Sequence, residues 1–69
     1  MELPLALPID LSIAAQVECI EREIRQRERL YPRWVQERRM TAEKAAREIA
    51  AMRAVLATLR RLAAMAAAG

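Results

Sequence analysis

The amino-acid sequence predicts an all-α fold, an antiparallel two-helix hairpin, on three observations. Strong helix formers dominate the 69 residues: Ala, Arg, Glu, Leu and Met abound, the one Gly is the last residue, and Phe is absent. Two long stretches place apolar residues at alternating three- and four-residue spacing, the period of one helix face. Between them lies a short polar link ending at Thr41, a residue type suited to capping a helix N-terminus.

Residues 1–9, MELPLALPI, read as an extended N-terminal arm. Pro4 and Pro8 fix φ and push Leu3 and Leu7 toward extended conformations. Leu3, Leu5, Leu7 and Ile9 then fall on one side of the extended chain. Two readings stay open, a frayed tail or an arm lying over a neighbouring subunit's groove. Residues 10–69 form a single helical-hairpin domain.

The first helix is expected over about residues 11–38, with Asp10 or Ser12 as its cap. Ile13, Val17, Ile20, Ile24 and Tyr31 make its heptad stripe, with Arg27 as a polar interruption. Glu18–Arg22, Glu21–Arg25 and Glu23–Arg27 each put an acid four residues before a base, the order that supports a helix, at roughly 0.2–0.5 kcal/mol per pair. Pro32 removes a backbone donor and crowds the preceding turn. Trp34 keeps the register of Tyr31 across it, so one helix kinked at Pro32 is favoured over a break and a separate turn.

The link is expected at Arg39-Met40-Thr41, and the second helix over about residues 42–67, with Glu43 in its first turn. Its seam runs through Ala45, Ile49, Met52, Leu56, Leu59, Ala63 and Ala66, widened on one flank by Val55 and Leu62. Cys19 falls just off the first helix's stripe and reads as a small, partly buried helix residue. Met52 and Met65 read as seam or seam-end packing. Two helices of similar length joined by a short turn run antiparallel.

Two helices bury only the seam between them, and a chain this short gains marginal stability from one core. A single cysteine forbids an internal disulfide, and without His there is no Cys/His zinc site. Oligomerisation remains, most simply a homodimer closing into a four-helix bundle. Ile13, Val17, Ile20, Ile24, Ile49, Met52, Leu56 and Leu59 are the expected core and dimer seam.

The composition argues against an enzyme. With no His there is no ordinary neutral-pH base, Ser12, Thr41 and Thr58 lack activating partners, and there is no Gly-rich phosphate loop. No cofactor or metal is expected. Neither the N-terminus nor the Ala-rich end reads as a signal peptide or a membrane span, and a lone thiol suits a reducing compartment. The chain therefore reads as cytoplasmic.

The net charge is +3, and eleven of the twelve basic residues are Arg. Between Arg22 and Arg47 there are nine basic and four acidic residues, so the positive excess sits around the link. Tyr31, Arg33, Trp34, Arg38 and Arg39 cluster there and are the candidate partner-binding residues. Three uses are open: anchoring a protein partner, meeting nucleic acid with Arg on phosphate and an aromatic on a base, or packing within the hairpin. A protein partner is favoured over nucleic acid, because several Arg residues have Glu one turn away.

One stretch resembles a group of short proteins encoded by bacteriophages and prophages of proteobacteria. It comprises Glu28-Arg29-Leu30-Tyr31-Pro32-Arg33-Trp34-Val35, Arg39-Met40-Thr41, Lys44-Ala45, Glu48-Ile49 and Met52-Arg53-Ala54-Val55-Leu56, within residues 17–60. The Tyr-Pro-Arg-Trp-Val string is its most specific part. Arg38-Arg39 departs from the pattern, which would place a Gly before Arg-Met. The resemblance implies a small accessory phage protein that acts by binding a host or phage protein, and it assigns no functional residue. The alternatives are a nucleic-acid-binding accessory protein and a structural component of a phage particle.

Overall fold

A computed structural model of the chain describes residues 11–69. The expected arm and the Asp10 cap lie outside these residues. Two α-helices, α1 (Ile13–Gln36) and α2 (Ala42–Ala68), pack side by side, and there is no strand among the described residues.

Each helix starts where a hydroxyl satisfies an otherwise orphaned first-turn amide. The Ser12 hydroxyl accepts from the Ala15 N–H at 3.1 Å, and the Thr41 hydroxyl accepts from the Lys44 N–H at 3.1 Å. Glu43 lies in the first turn of α2, where an acid complements the macrodipole. Helix α1 continues through Pro32, which lacks the N–H that would bond the Glu28 carbonyl. Three further backbone bonds close the helix end beyond it, to the Arg33, Trp34 and Val35 carbonyls.

The antiparallel pairing is fixed at three levels. Tyr31 meets Glu48, Glu28 meets Arg53, and Glu21 meets Arg60, so position falls along α1 as it rises along α2. Tyr31 and Ala45 are buried near the link, and Ile24 and Leu56 at mid-length. Ile13, Val17, Ile20, Ile49, Met52 and Leu59 are half-buried along the same seam. Helix propensity alone does not hold such segments in water, so this apolar contact carries the pairing.

Local details differ from the sequence expectations. Glu21 does not pair with Arg25, and Glu18 does not pair with Arg22. Glu21 instead reaches across to Arg60 at 2.7 Å, and Glu28 reaches across to Arg53. Of the three expected pairs within α1 only Glu23–Arg27 forms, at 2.7 Å. Cys19 is exposed rather than partly buried. Met65 is 69% exposed, so it is not a seam residue. Helix α1 ends at Gln36 rather than near residue 38, because Arg38 leaves the helical region with φ 61°.

Candidate interaction surfaces

The link is a complete Schellman turn. The Glu37 N–H bonds the Arg33 carbonyl at 2.9 Å and closes the last regular turn of α1. The Arg38 N–H bonds the Val35 carbonyl at 3.0 Å, and the Arg39 N–H bonds the Trp34 carbonyl at 2.8 Å. These are the two bonds that define the motif, and they satisfy carbonyls a helix end otherwise orphans. The position between them must be left-handed, which Gly adopts freely. Here Arg38 occupies it, so the turn forms without the expected Gly.

The motif ordinarily brings an apolar contact between its first and last residues. In this chain a cation–π contact fills that role. The Arg39 guanidinium carbon lies 5.1 Å from the Trp34 ring centre, and Arg39 also lies 3.7 Å from Glu37. Trp34 in turn packs against Tyr31, with ring centres 5.7 Å apart and planes inclined by 35°.

The five candidate partner-binding residues therefore divide. Tyr31 is buried, and its hydroxyl donates to Glu48 at 2.7 Å, which makes it part of the hairpin's interior. Trp34 is half-buried between Tyr31 and Arg39, while Arg33, Arg38 and Arg39 are exposed. A depression of about 240 Å³ beside them is lined by Glu23, Arg27, Leu30, Tyr31 and Trp34, together with Gln26.

Arg27, the polar interruption in the stripe, is satisfied locally. Its guanidinium donates to both the Glu23 carboxylate and the Glu23 carbonyl, the latter at 3.2 Å. The Glu23 bond holds its pKa above the ordinary guanidinium value, outweighing partial desolvation. The Tyr31 phenol is likewise pushed above its usual value. Its proton is held by the Glu48 carboxylate, burial adds to the effect, and nearby Arg27 opposes it.

The hairpin's two flat faces differ. One carries the cross-helix ion pairs Glu21–Arg60 and Glu28–Arg53. The other carries the widening flank of α2, where Val55 is 48% and Leu62 44% exposed. Val55 and Leu59 share an open groove of about 610 Å³ with Ile20 and Cys19. This flank was legible as a widened stripe in the sequence.

Among the described residues no cluster of three or more Cys, Asp or Glu side chains is arranged to hold a metal ion, and no helix is long and apolar enough to cross a membrane. Comparison with protein-family models, with curated proteins and with solved structures finds no match.

Proposed function

We propose that this chain is a non-enzymatic protein-interaction module, a small accessory phage or prophage protein that works as a homodimer in the cytoplasm of a bacterial host. Two hairpins close into a four-helix bundle, and the link presents Arg33, Trp34, Arg38 and Arg39 to a host or phage protein.

One observation carries the assembly: the hairpin buries too little. Only Ile24, Tyr31, Ala45 and Leu56 are buried among the described residues, while Val55 and Leu62 stand open on one flank. At ~25 cal/mol per Å² of apolar area, a single seam of this size barely offsets the entropy of ordering two helices. A second copy on the open flank supplies the missing burial in the commonest symmetric form.

Sedimentation at micromolar concentration tests the assembly, with a dimer expected; a stable, well-folded monomer would sink it. The anchor role of the link is read by comparing capture of a defined host protein by the native chain and by Trp34→Ala. Equal capture by a folded variant removes Trp34 from the contact.

A further inference from the structure

The helix face farthest from the hairpin seam has a composition of its own. Arg22, Arg25, Arg29 and Arg33 follow one another at spacings of three, four and four, which places all four guanidinium groups on the outward side of α1. All four are exposed, and none lies within ion-pair distance of a carboxylate among the described residues. The acids of α1 are directed elsewhere: Glu21 to Arg60, Glu28 to Arg53, and Glu23 to Arg27. Glu18 stands one turn before Arg22, at the N-terminal end of the row, and makes no ion pair among the described residues.

Like charges one turn apart oppose helix formation, and this row has three such steps with nothing to relieve them. Between Arg29 and Arg33 the surface dips into a shallow trough of about 400 Å³ floored by Gln26 and Leu30. An amide and a short apolar patch flanked by two guanidinium forks suit a sugar-phosphate backbone. Guanidinium groups bind phosphate oxygens through paired hydrogen bonds, in a planar geometry that Lys lacks.

We infer that the outward face of α1 binds the phosphate backbone of nucleic acid, with Arg22, Arg25, Arg29 and Arg33 as the contacting residues; Arg33 is shared with the proposed protein contact, and the other three are not. The charge density favours this ligand over an acidic protein. The row spans roughly 16 Å at ~1.5 Å per residue. One strand of duplex DNA offers about five phosphates over that length at ~3.4 Å per charge. One face of an acidic helix offers only about three carboxylates there, one per ~5.4 Å turn. The row meets the open apolar flank at Arg22, which lines the same groove as Val55 and Leu59, while Arg25, Arg29 and Arg33 lie outside that groove. Contacts to phosphate oxygens carry no sequence information, so binding through this row is expected to be independent of sequence.

The test uses the full chain and a fluorescently labelled mixed-sequence DNA duplex, with the affinity followed from about 50 to 200 mM salt. Four phosphate contacts at ~0.9 per contact predict a loss of roughly a hundredfold across that range. The quadruple variant Arg22→Gln, Arg25→Gln, Arg29→Gln and Arg33→Gln should keep its helix content and melt no lower than the native chain, since it relieves three like-charge steps. Its affinity at the low-salt end should fall by about a hundredfold, with a salt dependence flattened by three to four contacts. A control on α2, Lys44→Gln, Arg47→Gln and Arg61→Gln, should weaken binding by no more than about threefold, since it leaves the row intact. Absence of binding by the native chain at low salt overturns the proposal, as does a quadruple variant that binds like the native chain. Polyglutamate competing as well as the duplex, at equal charge, would assign the row to an acidic protein instead.

Discussion

The Tyr31 hydroxyl donates to Glu48 at 2.7 Å, a bond that ties the last full turns of α1 to the second turn of α2. It joins a buried donor to a carboxylate whose residue is exposed. The phenol is its one hydrogen-bonding group, and Glu48 is the acceptor that allows Tyr31 to be buried there.

Replacing Tyr31 by Phe removes that donor and leaves Glu48 free to be hydrated. The expected cost is about 0.5–1.5 kcal/mol, read by chemical denaturation. The bond also sets a pH response. The phenol's pKa is raised in the folded state from its ordinary value of 10.0. Its contribution is therefore fully present below pH 10.0 and is lost as pH rises through the higher folded value. The melting temperature should drop more steeply above that point in the native chain than in Tyr31→Phe. Parallel curves for the two proteins would show that Glu48 does not hold the proton.

Arg38 occupies a left-handed position that Gly adopts without strain. Arg38→Gly should stabilise the hairpin by about 1 kcal/mol, since the relieved strain slightly exceeds the entropy Gly adds to the unfolded chain. In a domain of this size the melting temperature should rise by roughly 4–8 °C per kcal/mol. A lower melting temperature would mean that the Arg38 side chain makes a contact worth more than the strain.

Leu56 and Leu62 separate folding from assembly. Leu56 is buried in the seam, and Leu56→Asp should unfold the chain by placing an unpaired charge there. The gentler Leu56→Ala should cost about 2–5 kcal/mol. Leu62 is 44% exposed on the open flank. Leu62→Asp should leave helical circular dichroism largely intact at high concentration while shifting sedimentation from dimer to monomer. An unchanged dimer would place the partner copy on another face.

Trp34 contributes through its neighbours. Trp34→Ala removes the ring under Arg39 and beside Tyr31, and the expected loss is about 1–2 kcal/mol from one cation–π contact and one aromatic pair. Arg39→Ala should lose only the smaller share, about 0.5–1 kcal/mol. Equal losses in both variants would mean that the cation–π contact with Arg39 is the whole of Trp34's structural role.

The seam was legible in the sequence because heptad spacing is a one-helix property. Ile24 and Leu56 could be placed on facing stripes without knowing the distance between helices. Both caps were legible for the same reason, since Ser12 and Thr41 act within three residues of themselves. Partner choice among charges was not legible. Glu21 can reach Arg25 on its own helix or Arg60 on the other, and only the packed distance between helices decides. The same held for the left-handed Arg38. Its backbone geometry follows from two hydrogen bonds to carbonyls of α1, against the preference of its own side chain. The outward row of arginines could be counted in the sequence, but its freedom from carboxylates depended on where Glu21 and Glu28 turned.

The five-residue link between Gln36 and Ala42 has a further consequence for how the chain can exchange with its copies. A short connection under backbone strain is a hinge, and straightening it would release Arg38 into ordinary helical geometry. The two helices would then join end to end, and each would find the other's partner stripe on a second chain. Such domain exchange conserves every seam contact while removing the turn. Samples folded at high concentration should hold an extended, slowly interconverting dimer besides the compact one. Arg38→Gly, by removing the strain, should deplete it.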